Sequence, residues 1–195
     1  MTNVKSYTTK QLLDKVKSLP SFKGIPKNQY WLLGVQSNEH AENVPDDKFY
    51  LFFEETSILV APGSVDAGSP SLRKTSKDAN KDGTFVIAKD CWQYDLWKNG
   101  LHKGKMPALV QNRAVFGYRD NDKDGIAEEL GPMTSGYFGI NFHAMTYKFA
   151  DKLVKKIIGL WSFGCQVVAD RQKYNEIIKC CKTQSTITYC CIKEF

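Results

Sequence analysis

The sequence predicts a single β-rich α+β domain. Many short runs of aromatic and β-branched residues recur along the chain. Gly, Asp, Asn, Ser and Pro punctuate them, and the clearest helical patterns lie near the two ends. The 195 residues are enough for one domain with its own core, and 42% of them are hydrophobic, which excludes a disordered tail. Strands of this number and spacing read as sandwich-like or barrel-like.

Thr8 with Gln11 forms a capping-box pattern that opens a helix over residues 8–19. Leu12, Leu13, Val16 and Leu19 share one face of it, and Pro20 stops it. Residues 21–28 form a loop around Gly24 and Pro26. Strand-like runs follow at Tyr30–Val35, Phe49–Phe53, Ser57–Val60, Phe85–Ala88, Ala108–Gln111, Ala114–Tyr118 and Tyr137–Phe142. The stretch from Ala61 to Asp82 reads as exposed loop. Asp170 is the N-cap of a helix over 170–181 that turns Tyr174, Ile177 and Ile178 inward, and residues 185–192 form a final strand. The patterned runs are too short to fold separately, so residues 1–195 read as one domain.

The net charge is +6, distributed as +5 over residues 1–30, −4 over the middle and +5 over residues 145–195. Basic ends attract anionic polymers such as nucleic acid or cell wall, and they equally describe solvated helix faces. An Arg-rich patch with interleaved aromatics is missing, and so is any zinc-finger spacing, so nucleic acid is not an expected partner. No apolar run approaches the roughly 18 residues that cross a bilayer. The opening residues, Met1 to Tyr7, lack the charged-then-apolar pattern of a secretory leader. The reading is synthesis in a cytoplasm, with work outside requiring lysis, a pore or carriage in a particle.

Six cysteines stand at 91, 165, 180, 181, 190 and 191. Adjacent pairs point to opposite faces of a strand, and no Cys-x-x-Cys is present. The four C-terminal cysteines read as small buried apolar residues, with a strand-to-helix disulfide open under oxidising conditions.

The chemistry centres on two segments, Gly139-Ile140-Asn141-Phe142-His143 and Trp161-Ser162-Phe163-Gly164-Cys165-Gln166. A thiolate is a strong nucleophile and an imidazole is the usual group that generates it. Cys165 follows a glycine that allows a tight turn, which aims the sulfur at a cleft and adjacent backbone N–H groups at an oxyanion. Ser162 is placed to hydrogen-bond the thiol or the histidine. Taken alone, a Gly-Cys in an apolar setting also describes a buried structural cysteine.

These two segments resemble the signature of the L,D-transpeptidase catalytic domain, a family acting on peptidoglycan stem peptides. The family pattern is a His after an apolar strand, then Ser-His-Gly-Cys followed by Arg or Asn. The match lies within residues 139–166. Beyond it, the chain resembles a compact phage-encoded relative in stretches such as Tyr30–Val35, Asp46-Asp47, His102-Lys103-Gly104 and Tyr118-Arg119-Asp120. The resemblance implies Cys165 as nucleophile, His143 as base, Ser162 and Gly164 as shapers of the turn, and the Cys165 N–H as oxyanion donor. It implies a thioester acyl-enzyme released to water or an amine, with peptidoglycan as partner. A phage lysis or virion enzyme would lie beside other virion proteins, made in the host cytoplasm and released to the periplasm at lysis or entry. Phe163 stands where the family has its second His, and Gln166 where it has Arg or Asn. The interval from His143 to Cys165 is long, with 147–158 read as an inserted helix or flap. The alternative is a non-catalytic virion or wall-binding protein that keeps the fold.

Arg119, His102, Gln166 and Trp161 are the candidate substrate contacts: Arg119 as a carboxylate fork, His102 in a glycine-flanked loop that lines a cleft beside His143, Trp161 flanking a groove. Each also has an ordinary reading as neighbour pairing, exposed loop or core. Asp120, Asp122 and Asp124 match the first half of a calcium loop closed by Gly125. The twelfth position is Gly131, leaving Glu128 or Glu129 as substitutes; an acidic hairpin turn is the alternative. A zinc hydrolase built on His143 and Cys165 lacks an evident third ligand, and no other cofactor is implied.

Overall fold

The computed structural model describes residues 4–195; Met1 to Asn3, and with them part of the leader reading, lie outside the described residues. The fold is a closed eight-stranded barrel with one helix against its outer face, another packed on its inner core and a small second sheet beside it. The barrel strands are β1 (Tyr30–Gln36), β2 (Asp47–Phe53), β3 (Thr56–Ser64), β5 (Cys91–His102), β6 (Met106–Gln111), β9 (Phe142–Ala144), β10 (Gln166–Val168) and β11 (Ile187–Lys193). They run around the barrel in the order β1-β11-β5-β6-β9-β10-β3-β2. Strands β4 (Thr84–Ile87), β7 (Val115–Asp120) and β8 (Thr134–Gly136) form the small antiparallel sheet in the order β4-β7-β8.

Alternation along β1 explains its nearly continuous apolar run. Leu32 faces the inner core with Phe49, Leu51, Trp97, Phe142 and Tyr189. Trp31, Leu33 and Val35 face outward and are covered by Leu12, Leu13 and Val16 of α1 (Thr9–Lys17). The predicted capping box is present: Thr8 Oγ1 accepts from Gln11 N, and Gln11 Oε1 accepts from Thr8 N. Asp170 caps α3 (Arg171–Cys181) through the N–H groups of Gln172 and Lys173. α3 sends Tyr174, Ile177 and Ile178 into the inner core, as its periodicity predicts. Cys181, Cys190 and Cys191 are buried, Cys180 is half-buried, and all six cysteines are free thiols.

Three expectations need correction. Ala61–Asp82 is not all loop: β3 continues to Ser64, and a one-turn helix, α2 (Ser69–Leu72), follows. The twelve-residue β5 has no counterpart among the expected strands. Residues 137–141 are not a strand, and only Phe142 of the expected run is, as the first residue of β9. Gly139 sits at φ +71°, and the Gln111 side-chain oxygen accepts the N–H groups of Phe138, Gly139 and Ile140 that a ladder would use.

Inside the barrel, Tyr189 Oη donates to Gln166 Oε1 at 2.7 Å, and Gln166 Nε2 donates to the Val65 carbonyl at 2.9 Å. β1 passes so close that a Cβ on Gly34 would lie 2.1 Å from Tyr189 Oη, so only glycine fits there. Tyr189→Phe leaves a buried amide oxygen without its donor. The expected outcome is a loss of about 1–3 kcal/mol in urea unfolding, with the native fold kept.

Candidate functional site

β9 and β10 are parallel neighbours, with Gln166 opposite Phe142 and Val167 opposite His143. Phe142 and Ala144 enter the inner core, so His143 falls on the opposite face of β9. Cys165 is the residue just before β10. The pairing therefore brings it beside the end of β9, although 21 residues separate the two strands.

His143 is fully buried, and its Nδ1–H donates to the Ala144 carbonyl at 2.9 Å. That bond leaves the lone pair on Nε2, which has no hydrogen-bond partner among the described residues. Cys165 Sγ, a His143 ring nitrogen and a His102 ring nitrogen all lie within 4.8 Å of one another. The His102 and His143 rings stack with centroids 3.8 Å apart and planes 23° apart.

His102 is not the exposed loop residue that its flanking glycines suggest. It ends β5 and is buried, held by a tight turn in which Lys103 and Gly104 both take positive φ and Lys105 N–H donates to the His102 carbonyl.

Asn141 joins the parts. Its N–H donates to Cys165 Sγ at 3.4 Å, its carbonyl accepts from Gln166 N at 2.8 Å, and its Oδ1 accepts from Gln111 N at 3.2 Å. With Oδ1 so engaged, the amide nitrogen faces His102 Nδ1 at 3.2 Å, which places the His102 proton on Nε2. Cys165 Sγ donates to the Gly139 carbonyl at 3.6 Å, and Trp97 Nε1 anchors the Ile140 carbonyl at 2.9 Å.

Ser162 does not bond the thiol or the histidine. Its Oγ donates to the Cys165 carbonyl at 2.7 Å and accepts from Gly164 N at 3.2 Å, closing the turn that presents the cysteine. Gly164 sits at φ +121°, and a Cβ there would lie 2.7 Å from the Phe85 carbonyl. A side chain at 164 is barred by both the backbone conformation and the space.

Burial sets the electrostatics. It pushes the Cys165 thiol up to about 11, against the opposing pull of the Asn141 N–H and Lys103. Burial, with His102 repulsion second, holds His143 down at about 3. Burial and Lys103 lower His102 as well. At neutral pH the resting pair is therefore a thiol and a neutral imidazole whose free lone pair can take the thiol proton. It is not a preformed thiolate–imidazolium pair.

The other candidates separate. Gln166 is fully buried with both ends of its amide engaged in the barrel, so it is no substrate contact. Trp161 ends a 3₁₀ turn (Gly159–Trp161) and packs on Tyr147 at 5.3 Å, in the same cluster against which Cys165 packs. Arg119 lies on β7 with its guanidinium 4.4 Å from the Phe138 ring and 5.5 Å from the Phe85 ring, and Nη1 donates to the Gly83 carbonyl. None of these contacts is with Cys165, His143 or His102.

Asp120 turns inward and accepts from Glu128 N. The carboxylates that converge within 4.8 Å are Asp122, Asp124 and Glu128, all exposed. His102 supplies the third donor a zinc reading needs, but the geometry opposes a shared ion. The Asn141 amide occupies His102 Nδ1 and leaves the His102 proton on Nε2, so neither His102 nitrogen offers a free lone pair.

Sequence reasoning missed Asn141 as the hub, Gln111 as the anchor of the preceding loop and Lys103 as the cation felt by Cys165, His143 and His102. Asn141 and Lys103 carried a signal only by lying inside the stretches quoted for the resemblance, and Gln111 carried none.

Two pH effects are expected. Iodoacetamide labelling of Cys165 should rise roughly tenfold per pH unit between about pH 7 and 10, since only the thiolate reacts; a plateau below pH 7 would show an ion pair instead. His143 is depressed in the folded state, so unfolded chains bind its proton first. Its contribution is intact above the unfolded value of about 6.5 and is lost as pH falls toward about 3. Urea unfolding of wild type should therefore weaken more steeply over that window than that of His143→Gln.

No protein-family model, curated protein or solved structure matches the chain.

Proposed function

We propose that the protein is a cysteine acyl-transfer enzyme of the L,D-transpeptidase type, acting on peptidoglycan stem peptides and favouring hydrolysis. The observation that carries this reading is the buried, unpartnered His143 Nε2 in a cluster with Cys165 Sγ. A buried polar atom without a partner costs free energy, and a proton-accepting role explains why it is kept.

Cys165 Sγ attacks the amide carbonyl while His143 Nε2 takes the thiol proton. The oxyanion of the tetrahedral intermediate lies near the Cys165 N–H, positioned by the Ser162–Gly164 turn. Collapse breaks the C–N bond, His143 returns the proton to the leaving amine, and a thioester remains. Water, deprotonated by the same nitrogen, attacks the thioester carbon. The C–S bond breaks to release the acid, and His143 returns the proton to the Cys165 sulfur. An amine acceptor would release a new amide by the same cleavage. His102, with its proton on Nε2, supplies a second imidazole next to the reaction. That is the group the motif lacks at Phe163, brought in from β5. Such a donor, fixed in advance by Asn141, stabilises charge as it develops.

In this reading the protein works on the wall after lysis or entry, as a phage-encoded or virion-borne enzyme beside other virion proteins. The raised Cys165 thiol favours the second reading, a non-catalytic wall-binding or virion protein on the same fold.

Purified peptidoglycan incubated with the protein should release stem-peptide fragments, and mass spectrometry should find an acyl adduct on Cys165. Cys165→Ala should abolish both. His143→Gln should lower turnover by roughly 10²–10⁴-fold, and His102→Ala by roughly 10²-fold with labelling of Cys165 retained. Fragment release by Cys165→Ala equal to wild type would end the enzyme reading. Intact wall and unmodified protein on several wall chemotypes would establish the binding role.

A further inference from the structure

The chain between β9 and β10 forms a strap across the barrel exterior and leaves its own apolar side chains uncovered. Residues 147–158 contain neither helix nor strand. Their backbone is nonetheless pinned. Asn175 Nδ2 donates to the Phe149 carbonyl, Gln172 Nε2 to the Asp151 carbonyl, Lys155 N to the Ala169 carbonyl and Ile158 N to the Asn43 carbonyl, all at 2.9–3.0 Å. Met145 and Ile158 fill the cluster beneath. Phe149, Leu153, Ile157 and Leu160 instead stand 63–71% exposed, and Tyr147 and Val154 are about half exposed. Scattered exposed apolar residues are ordinary, but six on one short strap make a patch.

The patch is basic as well as apolar. Exposed Lys148, Lys152 and Lys156 alternate with the apolar side chains, and the strap's one acid, Asp151, pairs with Lys155 at 2.8 Å. Beside it lies a groove of about 730 Å³ whose wall carries Lys48, Lys156 and Lys173 over Val44, Val60 and Pro62. Lys48 and Lys173 donate to backbone carbonyls, and no carboxylate oxygen lies within 4 Å of these three ammonium groups among the described residues.

We propose that the strap and its lysine groove dock the protein on an anionic lipid bilayer. The apolar side chains enter the acyl boundary, and the lysines take headgroup phosphates. A strip of large apolar residues interleaved with lysines matches a surface that is anionic above and apolar below. The centre of a protein interface is instead depleted of lysine, and a soluble polyanion would leave the apolar side chains wet. The proposal does not depend on catalysis by Cys165.

The test is co-sedimentation of the full chain with vesicles of equimolar phosphatidylglycerol and phosphatidylcholine, and with phosphatidylcholine alone. Binding to the anionic vesicles should be about a hundredfold tighter. Lys152→Glu/Lys156→Glu and Leu153→Gln/Ile157→Gln should each lose most of it, with circular dichroism unchanged, and Cys165→Ala should bind like wild type. Brominated acyl chains should quench tryptophan fluorescence in wild type and Cys165→Ala and in neither patch variant. Three results would each overturn the proposal: no binding to anionic vesicles, binding unaltered by Leu153→Gln/Ile157→Gln, or a lipid-free dimer abolished by that variant, which would make a second copy the occupant.

Discussion

Everything at the site depends on the seam where β9 pairs with β10. Each is three residues long, yet the barrel closes only through them: β6 meets β9 at a single pair, Leu109 with Phe142, and β3 meets β10 at Ser64 and Gly63. The pairing is parallel, so the chain must leave the end of β9 and return to the start of β10. Parallel neighbours need a crossover of about a dozen residues or more. The strap is that crossover, and the cysteine turn is its last part. The long interval between His143 and Cys165 thus follows from topology.

The seam also explains the electrostatics. A site held by two short strands has few backbone hydrogen bonds of its own, so side chains complete it. Asn141 closes the start of β10 with its carbonyl, touches the thiol with its N–H and fixes His102 with its amide. Gln111 holds the preceding loop by accepting three N–H groups. The result is a largely desolvated cluster in which charge separation is disfavoured, which raises the thiol and lowers both histidines. A neutral resting pair follows from that desolvation. In the proposed mechanism the thiol would become a nucleophile only as its proton moves to His143, so the cost of charge would fall in the reaction step and not on the resting protein.

What the sequence made legible was local. The Thr8 box, the Asp170 cap and the inward face of α3 depend on residues within one or two helical turns of each other, and they appear as expected. β1 and β11 announced themselves as continuous apolar runs because both of their faces are covered. β5 was hidden for the opposite reason. Lys98, Asn99 and Gly100 interrupt its pattern, and it is a strand because β11 and β6 pair with it on either side. In the site, the Cys165 and His143 types and their order suggested a pair. His102, 41 positions upstream of His143, was open between a cleft beside His143 and an exposed loop; the stacking itself could not be read, since only closure of the barrel brings β5 near β9. The turn-shaping role that the resemblance gives Ser162 matches its hydrogen bonds. Its expected bond to the thiol or the histidine is not made, and Gln166 is no substrate contact, because a motif records which residues occur and not where their side chains point. Ser162 closes a turn, and Gln166 is spent inside the barrel.

Gln166 shows how barrel and site are tied together. Its side chain bonds Tyr189 from β11 and the Val65 carbonyl beyond β3, while its N–H bonds the Asn141 carbonyl. One residue therefore fixes β10 against the barrel interior and against the loop that carries the thiol contact. An Arg or Asn at 166, as in the resembling family, could not make the Tyr189 and Val65 bonds in the same form. The departure from the motif is thus matched by a barrel interior built around glutamine. Position 166 here sets where Cys165 sits, and any recognition of substrate has to come from the outer face, where His102, Trp161 and the strap lie.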